Sequence, residues 1–322
     1  MAARRGRVDE DPGAQRQRDR VLDRRDQDLD RRGTALLSFR RVHEPVEWQI
    51  GNRTLSDADH TLVMGVLNVT PDSFSDGGLF FDVDAAIARG LELAAAGADV
   101  VDVGGESTRP GAARVPAEVE IDRVLPVVTA LAKADIAVSI DTSKAEVASV
   151  AVDAGAAIVN DVTALGDPDM ADLVARTGSG VVLMHMQGEP RTMQVDPQYK
   201  DVVADVAGFL GAASAKAVAA GIDPVSICLD PGIGFGKGLA HNLDLLANGV
   251  ARLRETGRPV LVGASRKSFI SEILGPLEPG ERDPASVAAH VLAIAAGASI
   301  IRSHSVVMAL RGARVADAIV RQ

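Results

Sequence analysis

Residues 61–67 read TLVMGVL and stop on Asn68, and this stretch, with seven more built the same way, decides the fold. The others are ADVVDV before Gly104-Gly105-Glu106, IAVSI before Asp141, AAIV before Asn160-Asp161 and GVVLM before His185. SICL before Asp230, PVLVGA before Ser265-Arg266-Lys267 and ASII before Arg302 complete the set. Near-continuous Val/Ile/Leu runs are the mark of parallel strands covered on both faces. Eight of them alternating with helical stretches predict a single-domain α/β fold, a (β/α)8 TIM barrel, whose polar residues at the C-terminal strand ends make the active site. Spacing alone also fits a doubly wound open sheet.

Working outward, Asp84 opens a stretch with Ile87, Leu91 and Ala94–Ala95 on one helical stripe closed by Gly97, and Pro116 suits the first position of the next helix. Ser143 through Glu146 has the spacing of a capping box, and Asp167-Pro168 reads as a cap followed by an N1 proline. Helices are expected over 202–220, 243–256, 284–296 and 307–320. Residues 61–322 therefore form the barrel, and 34–60 a short cover before it. Residues 1–33 hold ten Arg and eight Asp or Glu with few large apolar side chains. Such a segment cannot bury enough surface to offset its ordering entropy, so a disordered charged tail is expected.

Composition narrows the class. The 322 residues are 47% hydrophobic but only 3% aromatic, so the core is Ala, Val, Leu and Ile. A net charge of −10 argues against a nucleic-acid partner. The single Cys228 sits in an apolar run and suits a reducing cytoplasm. No uninterrupted run of about 18 apolar residues is present, so no membrane association is expected.

Two groups of residues carry the chemistry. Asp141, Asn160 and Asp230 end strands, and Lys267 follows one; converging at a barrel mouth, they suit a flat, nitrogen-rich ring with adjacent N–H donors and a carbonyl. Strand-end caps binding backbone amides are the plainer reading. Asn68, Arg109, Arg302 and His304 form a mostly cationic group in an acidic chain. This pattern suits an anion, because the guanidinium fork donates two parallel bonds to phosphate oxygens. Asn68 could also offer its carbonyl oxygen to Mg²⁺. DPGIGFGKG lacks Walker spacing, although Phe235 could wall a pocket. Met184 and His185 read as core packing. Two long connections, with TPDSFSDGG and GGESTRPGAAR, read as functional loops.

Taken in order, LNVTPDSFSDGG, DVGGESTRPGA, SIDTSK, NDV, LMHMQGEPRTMQ, LDPGIGFGK, GASRK and RSH resemble the dihydropteroate synthase family from about Thr61 onward. The resemblance implies that 6-hydroxymethyl-7,8-dihydropterin diphosphate and 4-aminobenzoate condense to 7,8-dihydropteroate and pyrophosphate. It implies Mg²⁺ as cofactor, departure of diphosphate before the amine attacks, and sulfonamide sensitivity. Asp141, Asn160, Asp230 and Lys267, with Phe235 and Met184, match the pterin positions; Asp141, Lys267 and Arg302 are the expected catalytic residues. Asn68, Arg109, Arg302 and His304 match the diphosphate positions, with Asn68 on the metal. Phe74, Ser75 and Asp76 match one loop and Thr108, Arg109 and Pro110 the other; with Ser265 they would enclose aminobenzoate. A cytoplasmic homodimer is expected. At the last strand the family reads Arg-Val-His-Asp where this chain has Arg302-Ser303-His304-Ser305. Two other readings stay open: a pterin-binding methyltransferase and a non-catalytic pterin-binding paralogue.

Overall fold

The computed structural model describes residues 44–70, 82–107, 114–189 and 192–321. The proposed tail, residues 34–43 of the cover, and the loop residues Phe74, Ser75, Asp76, Thr108, Arg109 and Pro110 lie outside them. An antiparallel hairpin, β1 (Glu47–Ile50) and β2 (Arg53–Ser56), comes first. Eight parallel strands follow: β3 (Leu62–Asn68), β4 (Val100–Gly104), β5 (Val138–Asp141), β6 (Ile158–Asp161), β7 (Gly180–Met184), β8 (Ile227–Asp230), β9 (Leu261–Val262) and β10 (Ile300–Ser303). Their spatial order is β8-β7-β6-β5-β4-β3-β10-β9. A parallel bridge between Leu229 and Val260 joins the two ends, with Leu229 N donating to Pro259 O at 2.9 Å. The sheet is closed, which removes the open doubly wound alternative.

Helices α1 (Val83–Ala95), α2 (Ala117–Lys133), α3 (Ala145–Asp153), α4 (Met170–Thr177), α5 (Val202–Ala219), α6 (Leu239–Asp244), α7 (Val250–Arg254), α8 (Ser268–Leu274), α9 (Asp283–Ala295) and α10 (Val306–Val320) lie outside the strands. A π-helical stretch, Leu245–Gly249, joins α6 to α7. By length and hydropathy α5 could cross a membrane, although Asp205 and Lys216 interrupt it. Its buried stripe of Val202, Val206, Leu210, Ala213 and Ala217 instead packs in the core outside the sheet.

Two helix starts differ from expectation. Ser143 caps nothing; α3 begins without a side-chain cap of its own, and the Ala145 N–H donates to Asp167 Oδ2 at 3.0 Å. Asp167 thus caps the helix before the one it precedes, while α4 starts at Met170 with no side-chain cap. Proximity in space has overridden adjacency in sequence.

Along a strand, residues two apart share a face, which fixes the barrel's layers. Leu62, Met64, Val100, Ile158, Val182, Cys228, Leu261 and Ile300 form one buried apolar cluster with Trp48 and Ile50 of the hairpin. Trp48 is 1% exposed and donates through Nε1 to Ser226 O at 2.9 Å. The hairpin thus plugs the N-terminal end. Two residues further along the strands, Asp102, Asn160, Met184, Asp230 and Arg302 occupy the next inward layer, so the polar layer lies toward the C-terminal mouth.

Candidate active site

A recess opens there, lined by Asp141, Asn160, Val162, Met184, Asp230, Phe235, Lys267 and Arg302 among others. Ligand pockets combine apolar walls with a few placed polar groups. Here Val162, Met184 and Phe235 form one small apolar cluster with Met193. Lys267 Nζ stands 3.9 Å from the centroid of the Phe235 ring, a cation–π contact. Asp230, 6% exposed, accepts the Gly232 N–H through Oδ1 at 2.7 Å. Asp230 and Lys267 act on each other through their fields rather than by contact, since each side chain's close partner is another group.

Arg302 organises the opposite side. Its Nε donates to Asp102 Oδ2 at 2.6 Å and its Nη2 to Asp141 Oδ2 at 2.7 Å. Asn160 Nδ2 also donates to Asp102 Oδ2, at 3.1 Å. One guanidinium therefore serves two carboxylates. Asp102 Oδ1 and Asp141 Oδ1 are buried and have no hydrogen-bond partner among the described residues. Burial raises the Asp141 carboxyl to about 7; Arg302 opposes this and Asp102 reinforces it. Burial works against the Arg302 charge as well, but Asp102 and Asp141 outweigh it and hold the guanidinium above its usual range. Burial lowers Lys267 to about 8, helped by Arg302 and opposed by Asp230 and Asp141. Burial also raises Asp230, against Gly232 N–H, Lys267 and Arg302.

The two groups read from the sequence are thus not separate: Arg302, assigned to the anion side, lines the same recess as the ring-binding set. Asn68 ends β3 beside Gly104, half-buried, outside the recess lining. His304 and Ser265 also lie outside that lining and form a pair, His304 Nδ1 to Ser265 Oγ at 3.0 Å, with the His304 N–H donating to the same oxygen at 3.2 Å. Ser265 is 4% exposed, and its hydroxyl holds the imidazole. Burial, then Arg302, Arg266 and Lys267, lower His304 to about 3. The imidazole is therefore neutral near pH 7, and Ser305 in place of an acid does not decide its charge in the free protein.

Sequence reasoning missed Asp102, which lies inside an apolar run instead of ending it; its position two residues beyond inward-facing Val100 was the available signal. It also missed an ion cluster behind β4. Lys144 bonds Glu106 and fully buried Glu120, and Glu106 Oε1 accepts the Val115 N–H at 3.0 Å, joining the two described ends of the connection that follows β4. Among the described residues no cluster of three or more His, Cys, Asp or Glu side chains could hold a metal. Asn68 offers one neutral oxygen, which suits a Mg²⁺ whose other ligands are phosphate oxygens and water.

A closed α/β barrel with a polar, partly ionised recess at its C-terminal mouth has the architecture of a barrel enzyme, with the recess where such enzymes carry their active site. A sequence model described as "Pterin binding enzyme" matches residues 64–304. The dihydropteroate synthase of Escherichia coli (strain K12) is 47% identical over 266 residues, covering 82% of this chain and 94% of that protein. The Mycobacterium leprae enzyme of the same name is 48% identical over 252 residues, covering 76% and 88%. The solved structure of Xanthomonas albilineans dihydropteroate synthase with 4-aminobenzoic acid superposes with a TM-score of 0.80 at 47% identity, covering 86% of this chain and 98% of that one. The chain belongs to the pterin-binding enzyme family. Within it, the chain falls among the dihydropteroate synthases, transferases of folate synthesis.

Proposed function

We propose that the recess holds the ring of 6-hydroxymethyl-7,8-dihydropterin diphosphate, whose exocyclic methylene is transferred to the amine of 4-aminobenzoate. The carbon–oxygen bond breaks with its electron pair on diphosphate; the amine nitrogen forms the new bond and loses a proton, giving 7,8-dihydropteroate and pyrophosphate. The single observation behind this reading is the arrangement of polar groups around one apolar wall. Asp230 and Asn160 face the amino and N–H donors of the ring, Lys267 its carbonyl, and Phe235 and Met184 its flat face.

Asp141 has the partnerless oxygen Oδ1 beside this ring. As a carboxylate it stabilises the positive charge that spreads through the pterin as diphosphate departs, an interaction that gains strength only as that charge develops. Arg302 keeps Asp141 in place and, with donors to spare on its fork, reaches toward the diphosphate with Asn68, Arg109 and His304. A neutral His304 contributes an N–H donor rather than a charge. When bound with the diphosphate, Mg²⁺ supplies positive charge against the leaving oxygens, with Asn68 as its protein ligand. The segments carrying Phe74, Ser75, Asp76, Thr108, Arg109 and Pro110, with Ser265, shelter aminobenzoate from the aqueous side. Sulfonamides, which mimic aminobenzoate, compete there; the Yersinia pestis dihydropteroate synthase has been solved with a sulfonamide drug complex.

We read the enzyme as a cytoplasmic homodimer, supported by its single buried thiol and by Leu292, Val315 and Ile319 exposed on the neighbouring helices α9 and α10. The test is direct. Mixing both substrates with Mg²⁺ should release pyrophosphate stoichiometrically with dihydropteroate; tight pterin binding with no release would instead identify a non-catalytic pterin-binding paralogue.

A further inference from the structure

The segment after β8 runs Asp230-Pro231-Gly232-Ile233-Gly234-Phe235-Gly236-Lys237, and only Asp230 and Phe235 enter the chemistry above. Its lysine turns inward: Lys237 is 2% exposed. A buried ammonium is costly unless its three N–H donors all find acceptors. Three acceptors surround this one. Lys237 Nζ lies 2.9 Å from Phe235 O, 3.2 Å from His185 O and 3.0 Å from His185 Nδ1. With two donors on carbonyls, the third goes to Nδ1, which places the His185 proton on Nε2. Burial, then Lys237, lowers His185 to about 4, so the imidazole is neutral and able to accept.

The backbones of the two loops meet directly. A Cβ on Gly232 (φ +68°) would stand 2.0 Å from His185 O, and one on Gly236 (φ +63°) 2.3 Å from Gln187 O. Tyr199 Oη donates to Gly236 O at 2.8 Å and the Gly234 N–H donates to Asn242 Oδ1 at 2.7 Å. Lys237 itself is outside the recess lining. The residues it ties down are neighbours of that lining: Phe235 by its own carbonyl, and Met184 through His185.

We propose that Lys237 is a positioning residue of the pterin site, its buried ammonium stapling the loop after β7 to the loop after β8 so that Met184 and Phe235 stand as a fixed wall for the ring. The assignment rests on the pterin reading of the recess. Other charges reach the pair as well: Asp230 favours the ammonium and Lys267 opposes it, while Asp205 acts on His185. Burial lowers the amine to about 7, so the ammonium is the dominant form on the acid side of neutrality, where His185 is still neutral and where binding and spectra are to be measured.

The experiment compares the whole enzyme with Lys237→Met, which keeps length but loses every donor, and Lys237→Gln, which keeps two. Calorimetry with an unphosphorylated 6-hydroxymethyl-7,8-dihydropterin should show at least a tenfold loss of affinity in Lys237→Met and partial recovery in Lys237→Gln. The KM for 4-aminobenzoate should stay within twofold. ¹⁵N NMR of histidine-labelled protein should find the His185 proton on Nε2 in wild type and lose that preference in Lys237→Met. A folded Lys237→Met that binds the pterin as wild type does overturns the staple alone. If Met at 237 prevents folding, the wild-type spectrum decides, since a proton on Nδ1 is incompatible with the ammonium donating there. A wild type that binds no dihydropterin overturns the pterin reading together with this one.

Discussion

Replacing Asp102 by Asn removes a charge from beneath the site while keeping its shape. Asp102 is 0% exposed, does not line the recess, and shares the Arg302 guanidinium with Asp141. Its field is one cause that lifts Asp141 to about 7. Both carboxylates bond the one guanidinium, and a like charge at such close range is worth on the order of 3 kcal/mol, or about two pKa units, at an effective dielectric of about 20. In Asp102→Asn the guanidinium charge is no longer shared with a second carboxylate, so Asp141 should titrate below its wild-type value of about 7. If the carboxylate form of Asp141 is the active one, wild-type kcat/KM for the pterin diphosphate falls as pH drops through about 7. In the variant this acid limb should move down by about two pH units. An Asn at 102 can still accept from Arg302 Nε, so the fold should lose no more than about 1–3 kcal/mol. The assay is a kcat/KM profile from acid to alkaline pH, with circular dichroism at each point. A folded Asp102→Asn enzyme whose acid limb stays near neutrality would refute the argument.

Three other outcomes are expected. Lys267 serves the ring carbonyl as an ammonium, so pterin affinity should fall as pH rises through about 8; calorimetry across that range checks this, and an affinity that is flat there would remove Lys267 from that role. His290 is fully buried, both its ring nitrogens lack a partner among the described residues, and burial lowers it to about 4. Because its folded value lies below the unfolded one near 6.5, the unfolded chain binds the proton first, and stability falls as pH drops from 6.5 toward 4 by up to about 3 kcal/mol. Over that window the urea midpoint of wild type should fall toward acid more steeply than that of His290→Leu; midpoints that run parallel would refute this. Trp48→Ala should cost about 3–5 kcal/mol by opening a void in the plugged end, with the KM for both substrates unchanged; a change in either KM would show that the plug shapes the site.

Strand ends were legible because a polar residue after a Val/Ile run has few places to go except the mouth of a parallel barrel. Asp141, Asn160, Asp230, Lys267 and Arg302 were read on that ground, and the fold brings all of them to one recess. Other features depend on which distant groups folding brings together. Nothing near Asp167 in sequence says that its carboxylate will reach the start of α3. The His304 imidazole reads as a titratable anion binder until Arg302, Arg266 and Lys267 are set around it. Asp102 was hidden by its apolar neighbours, and Lys237 by a glycine-rich stretch that lacks Walker spacing. In both cases the side chain serves other protein groups and not the recess, so no strand-end rule exposes it.

The hairpin plug has a kinetic consequence. With Trp48 sealing the far end, the recess is a blind hole, and everything that enters must leave through the same opening. A ring seated at the polar layer is then overlain by whatever arrives next. Aminobenzoate bound first would bar the way in, and the joined product must withdraw past the residues that held its leaving group. Traffic through one door makes sequence of arrival a property of the architecture. Labelled pterin diphosphate bound before a chase of the unlabelled compound should therefore be committed to product in proportion to the aminobenzoate present, because the second substrate closes the exit behind the first.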